Sequence, residues 1–162
     1  MLGATSVFCD ILPDTYNICP ESLERQIQAV QAEGKLTPKA VIAVDILGNP
    51  CDYDVLIPLC EKYGLILIED AAQSFGATYK GKKCCAFGQI ATTSFFPAKP
   101  LGCYGDGGAI FVDDDEMAHV IRSICVHGKG PRGKYDNVRV GMNSRLDTMQ
   151  AAILLPKFEA LK

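Results

Sequence analysis

Apolar residues along the chain fall into short runs that alternate with stretches of helical period. Thr5–Asp10 reads as a short strand. Pro20 then stands at a first helical position with Glu21 in the first turn, Leu23, Ile27 and Val30 follow at i, i+4 and i+7, and Gly34 ends the helix. Ala40–Ile46 is a buried-strand pattern broken by Asn49-Pro50. Residues 52–63 predict a helix with Val55, Leu59, Cys60 and Tyr63 on its core face and Pro58 inside it, closed by Gly64. Leu65–Ile68 is apolar at every position, as in parallel strands covered by helices on both faces. Ala91–Phe96 and Ala109–Val112 read as further strands. Asp113–Asp115 caps a helix carrying Met117, Val120, Ile121, Ile124 and Cys125 on one stripe, and Ser144–Asp147 resembles a capping box before a last helix. Strand alternating with helix predicts an α/β domain with a mainly parallel sheet between helix layers.

The 162 residues fit one domain. The longest apolar runs, Ala40–Val44 and Ala151–Leu155, are five residues each, against the roughly 20 a membrane helix needs. A net charge of −3 lacks the basic surplus of a nucleic-acid binder, so neither a membrane nor a nucleic acid is an expected partner. The eight cysteines form no C-x-x-C and flank no histidine at zinc spacing, which reads as buried thiols of a reducing cytoplasm and no metal. At both ends the pattern reads as an interior segment of a longer protein: the first strand has nothing before it to pair with, and the last helix runs into Lys162 without a Gly or Asn cap. A compact domain with frayed ends is the alternative.

Ligands of parallel sheets bind at the carboxyl ends of the strands. After Leu65–Ile68 come Glu69, Asp70 and Gln73. After Ala91–Phe96 comes a Pro/Gly-rich loop carrying Lys99. A strand-end acid and a loop lysine suit pyridoxal 5'-phosphate (PLP), which needs an amine for its Schiff base and a carboxylate at its ring nitrogen. Ser94 and free N–H groups would take the phosphate. Each residue also has a plain reading: Asp70 a helix cap, Gln73 an early helix residue in solvent, Ser94 a hydroxyl bonded to backbone, Lys99 a solvated loop lysine, Asn143 a helix cap. The Asp45, Gly48 and Asn49 loop also ends a strand and receives no role. The glycines at 102, 105, 107 and 108 do not form G-x-G-x-x-G and lead into a strand, which argues against a dinucleotide site.

Three segments carry a family resemblance: Ile68–Ala77 (IEDAAQSFGA), Ser94–Ala109 (SFFPAKPLGCYGDGGA) and Val140–Ala152 (VGMNSRLDTMQAA). Together they resemble the DegT/DnrJ/EryC1/StrS sugar aminotransferases, in order and over essentially the whole chain. The resemblance implies the three-layer α/β large domain of the type I PLP aminotransferases, present as its central part, with the N-terminal segment and the C-terminal small domain absent. It implies a homodimer with shared active sites. Lys99 would be the Schiff-base lysine, where dehydrating members of the family carry His. Asp70 would pair with the pyridine nitrogen, Gln73 would lie against the ring or its hydroxyl, Ser94 would bind the phosphate, and Asn143 would reach the phosphate in the neighbouring subunit.

The reaction implied is ping-pong transfer of an amino group from L-glutamate to a nucleotide-linked keto-sugar. Phe96-Pro97 and Gly105-Asp106-Gly107-Gly108 resemble the branch acting at C3, and within it enzymes for a UDP-linked 3-oxo-N-acetylglucosaminuronate of surface polysaccharide (O-antigen) synthesis. Arg145 is then a candidate for the sugar carboxylate, or else a surface arginine of a first helical turn. Lys129–Lys134 lacks the histidines expected near a uronate site. A C4 aminotransferase and a truncated, non-catalytic remnant are the competing readings, and the segment alone is expected to be inactive.

Overall fold

The computed structural model describes residues 3–133 and 135–161. Four strands form the main sheet: β1 (Ala40–Val44), β2 (Ile66–Asp70), β5 (Ile90–Ser94) and β6 (Gly108–Phe111). Between β2 and β5 lies a two-stranded hairpin, β3 (Thr78–Tyr79) and β4 (Lys82–Lys83). The helices are α1 (Pro20–Glu33), α2 (Tyr53–Tyr63), α3 (Asp115–Cys125) and α4 (Thr148–Ala160). The spatial order of the sheet is β1-β2-β5-β6. β1, β2 and β5 are parallel, and β6 returns antiparallel to β5 with Ser94 opposite Gly108. This is the expected α/β class with a mostly parallel, mixed sheet.

The register sorts side chains onto two unlike faces. Val41 pairs with Leu67, Ala43 with Glu69 and Glu69 with Ala91, so these residues share a face. That face meets α1 and α2 in a core of Leu23, Ile27, Val41, Leu56, Cys60 and Leu67. The opposite face carries Ile42, Val44, Ile66 and Ile110, all exposed, together with Asp70, Thr92 and Ser94. The apolar run in β1 therefore alternates between buried and exposed residues, and the described residues cover β2 on one face where the sequence predicts two.

Local chemistry explains most helix ends. Pro20 opens α1, and Gly34 and Gly64 close α1 and α2 in the left-handed conformation. Asp114 caps α3 by accepting the Met117 N–H. Three expectations are corrected. Thr5–Asp10 is not a strand: among the described residues its one backbone partner is Cys19, whose N–H donates to the Asp10 carbonyl beside the single Ile11–Ile18 bridge, and Phe8 is 86% exposed. On α2, Cys60 is buried and Leu59 and Tyr63 pack against the core as expected, but Val55 is exposed, and Tyr53 and Leu56 complete the buried stripe. Ser144–Asp147 is no capping box: Asp147 is itself the N-cap, and the Ser144 N–H donates to the Cys125 carbonyl. Lys134 and Lys162, which figured in the readings of the basic loop and of the last helix, lie outside the described residues.

Candidate active site

β2 ends on two acids whose side chains alternate, as strand neighbours must. Glu69 turns into the core and is fully buried. Its two oxygens accept the Cys85 N–H at 2.6 Å and the Phe87 N–H at 2.8 Å, pinning the loop before β5. Burial drives its pKa up, more than those backbone bonds pull it down. Asp70 turns to the opposite face and is half-buried. Its Oδ1 accepts the Ala72 N–H at 3.1 Å. Among the described residues no donor meets Oδ2, so it can accept from a ligand N–H.

Residues 72–76 form a turn that carries Gln73. The turn is tied to the sheet by Ala71, whose N–H donates to the Thr92 carbonyl and whose carbonyl accepts from the Thr93 hydroxyl. Gln73 Oε1 lies 3.3 Å from Lys99 Nζ, so two of the three residues predicted to surround the cofactor ring are in contact. Among the described residues no ion pair holds Lys99. Ser94 ends β5 on the Asp70 face, and its Oγ accepts the Phe96 N–H at 3.2 Å. The hydroxyl proton stays available for an anion.

The lysine loop is tightly folded. The Lys99 N–H donates to the Phe96 carbonyl, and the Cys103 N–H and thiol both donate to the Phe95 carbonyl. A Cβ on Gly102 would stand 2.5 Å from the Pro97 oxygen, so the loop closes only around glycine. From α4, Gln150 accepts the Tyr104 N–H and Lys157 donates to the Gly102 carbonyl at 2.6 Å. Leu154 packs with Phe95, Leu101 and Cys103 beneath the loop.

Asn143 and Arg145 lie elsewhere. Their segment runs beside the end of α3, where Asn143 bridges Val126. Both side chains are exposed, and Arg145 Nε donates to Asn143 Oδ1 at 2.9 Å. Among the described residues no hydrogen bond joins either to Asp70, Gln73, Ser94 or Lys99. The structure thus gathers four of the six predicted site residues at the carboxyl edge of β2 and β5 and leaves two as a separate polar pair.

Sequence reasoning missed two buried groups behind the site. Asp45, fully buried, accepts from the Cys51 N–H, the Tyr53 hydroxyl and the Ser74 hydroxyl. Glu69 was noticed only as a strand-end acid. A polar residue closing an otherwise apolar strand was the one signal for either. Asp45, Glu69 and Cys84 bring possible ligand atoms within 4.8 Å of one another. Their carboxylate oxygens are already engaged by N–H and O–H donors, which fits anchoring better than metal binding. A cleft of about 360 Å³ between α3 and residues 85–89 includes Ala91 and Phe111, on the sheet face opposite Asp70.

These residues fit PLP: an open carboxylate oxygen, an unpaired loop lysine touching an amide, and a strand-end hydroxyl share one edge of the sheet. Comparison with known proteins points the same way. The chain is 55% identical over 161 residues to a UDP-2-acetamido-2-deoxy-3-oxo-D-glucuronate aminotransferase of Pseudomonas aeruginosa, covering 98% of this chain and 42% of that one. A crystal structure of a DegT DnrJ EryC1 StrS aminotransferase from Brucella abortus superposes with a TM-score of 0.96 at 53% identity, over 99% of this chain and 43% of that one. A Bacillus subtilis structure with the cofactor PMP bound superposes with a TM-score of 0.80 at 32% identity, over 96% of this chain and 33% of that one. The chain spans about two fifths of the length of the curated relatives it matches. No helix among the described residues is long and apolar enough to cross a membrane. A profile of the DegT/DnrJ/EryC1/StrS aminotransferase family matches residues 1–162, and the chain belongs to that family.

Proposed function

We propose that this protein transfers an amino group from L-glutamate to C3 of a UDP-linked 3-oxo-N-acetylglucosaminuronate, with PLP held on Lys99. The observation that carries this reading is the contact of Lys99 with Gln73 at the sheet edge where β2 ends on Asp70, which keeps one oxygen open. Its setting is a chain 55% identical to an enzyme named for that sugar. When bound, the cofactor supplies an electron sink for the carbon that loses or gains a proton. Asp70 Oδ2 would hold the ring N–H, and its charge would keep that nitrogen protonated. Ser94 would donate to the phosphate. Gln73 would orient the Lys99 amine, which would carry the cofactor covalently and, once displaced by the donor, move the proton at the donor α-carbon. The loop under Lys99 is braced while its side chain has no ion pair to break, which suits a group that must serve as anchor and then as base.

Asn143 and Arg145 belong, in this reading, to the partner's site in a homodimer. Both are exposed and bonded to each other and not to the Lys99 cluster. Asn143 would donate to the partner's cofactor phosphate, and Arg145 would grip the uronate carboxylate. The 162 residues then form the central part of a large PLP-binding domain, a reading supported by the 42% share of the P. aeruginosa relative. The eight cysteines are all free thiols, in keeping with a cytoplasmic enzyme that feeds surface polysaccharide (O-antigen) synthesis.

The test is covalent attachment. The complete gene product is mixed with PLP, reduced with borohydride and mapped by peptide mass, and then given glutamate and the keto-sugar. Label on Lys99 and amination at C3 by NMR support the proposal. Amination at C4 corrects the regiochemistry, and an unlabelled Lys99 overturns the aminotransferase reading.

A further inference from the structure

Asp45 follows the last residue of β1 and is 0% exposed. Such a carboxylate must be fully satisfied, because each unmade hydrogen bond costs its desolvation. Three short bonds satisfy it, and they divide by destination. Oδ1 accepts the Cys51 N–H at 2.9 Å and the Tyr53 hydroxyl at 2.6 Å, which fixes its own loop and the start of α2. Oδ2 accepts the Ser74 hydroxyl at 2.6 Å, from the residue next to Gln73. The first pair stays within the β1–α2 connection, and the third bond alone reaches beyond it to the turn after β2.

Two further contacts tie the same loop to the end of β2 and to the turn after it. The Asp45 N–H donates to the carbonyl of Asp70, the last residue of β2, at 3.1 Å. Gly48, at φ +79°, lies so close to the Gln73 carbonyl that a Cβ would come within 3.0 Å of it. The loop is itself held firm: buried Asn17 donates to the Asn49 and Pro50 carbonyls and accepts the Ile46 N–H. A rigid loop thus presses on the backbone of the turn from one side while Asp45 grips its side chain.

We propose that Asp45 is a positioning residue for the active site, fixing through the Ser74 hydroxyl the turn that follows Asp70 and presents Gln73 to the cofactor. The inference rests on the PLP reading above. It predicts unequal consequences for two bonds of equal length to one carboxylate. Ser74→Ala removes the bond that leads to Gln73, and Tyr53→Phe removes the one that leads to α2.

The experiment compares both variants with the wild type, as complete gene product, by PLP dissociation constant, extent of borohydride labelling at Lys99 and denaturation midpoint. Both variants are expected to unfold at lower denaturant concentration. Ser74→Ala is expected to hold PLP about tenfold more weakly with matching loss of label, and Tyr53→Phe to stay within about twofold of wild type. Ser74→Cys keeps a donor, weaker and somewhat larger than the hydroxyl, and should fall between, which keeps the test open if Ser74→Ala does not fold. Equal effects of Ser74→Ala and Tyr53→Phe on PLP, or none from Ser74→Ala or Ser74→Cys, overturn the inference alone. Absence of label in the wild type overturns the PLP reading and the inference with it.

Discussion

Gly102→Ala separates the shape of the lysine loop from its stability. Gly102 does not adopt the left-handed conformation, so its lack of a side chain serves space and not backbone freedom. A Cβ there would stand 2.5 Å from the Pro97 oxygen, 2.8 Å from the Phe96 oxygen and 2.8 Å from the Pro97 carbonyl carbon. All three are backbone atoms, so no rotamer change relieves the clash. The loop must open by about 0.5 Å or more to reach tolerable contact. Overpacking of this kind costs about 1–3 kcal/mol. The opening falls on the segment bearing Lys99, whose N–H donates to the Phe96 carbonyl. A misplacement of about 1 Å can cost about a hundredfold in rate, so the alanine variant should lose roughly tenfold or more in PLP attachment at Lys99. Gly34→Ala is the control. It forces alanine to φ +70° at the end of α1, with nothing within 4 Å, and should cost about 1–2 kcal/mol by strain alone. Denaturant unfolding and Lys99 labelling are measured on both. Matched stability losses with labelling lost only in Gly102→Ala support the reasoning. Wild-type labelling in Gly102→Ala refutes it.

Asp70→Asn keeps the acceptor for the Ala72 N–H and removes the charge that the proposal sets against the ring nitrogen, so PLP should bind about tenfold to a hundredfold more weakly with the fold intact, by equilibrium dialysis and circular dichroism. Arg145→Lys should raise KM for the uronate about tenfold, with kcat little changed and no effect on a sugar lacking the carboxylate; equal KM for both sugars in wild type and variant would reject that role. Burial holds the Glu69 pKa above its ordinary value of 4.5, so the native state keeps a proton that the unfolded chain releases. The stability this proton contributes is full below about pH 4.5 and is lost as pH rises through the raised value. Wild-type stability relative to Glu69→Gln should therefore fall across that range, and a constant or growing difference in denaturation midpoints would contradict it. Burial first, with Glu69 adding, pushes the Cys85 thiol up to about 12, and burial pushes Cys84 to about 11. Both should resist iodoacetamide at pH 8 until the protein is unfolded, and native-state alkylation would count against the packing described.

The sequence made visible what depends on short-range order. Pro20 and Gly34 bracket α1 because each sets a backbone angle locally, and the acid and lysine at strand ends were legible because strand direction alone brings them to one edge. Readings that needed a partner fared differently. Thr5–Asp10 has strand composition but, among the described residues, only its last residue meets a partner backbone, and a strand exists only in a ladder. Periodicity placed Leu59, Cys60 and Tyr63 of α2 toward the core but missed Tyr53, which stacks on Phe87 at 4.2 Å, a contact 34 residues away along the chain that periodicity does not encode. The β3–β4 hairpin went unread although Lys80 and Gly81 both have positive φ, the conformation of a tight two-residue turn, with Gly81 as its only sequence mark. Asp45 is the sharpest case. At a strand end it looks like any loop acid, and its meaning appears only when Ser74 is folded against it.

The lysine loop shows how a fixed frame can serve a moving group. Cys103 and Gly102 close it from within, and Gln150 and Lys157 hold it from α4, so its backbone is braced at 102–104 from two independent directions. The Lys99 amine makes, among the described residues, one side-chain hydrogen bond, to Gln73 at 3.3 Å. Rotating the Lys99 side chain away breaks one long bond to an exposed amide, which water replaces at little cost. Moving the loop would break several shorter ones and unpack Leu101 and Cys103. The separation of costs lets Lys99 leave and return to the same place, as its proposed roles of anchoring the cofactor and then transferring a proton beside it both demand.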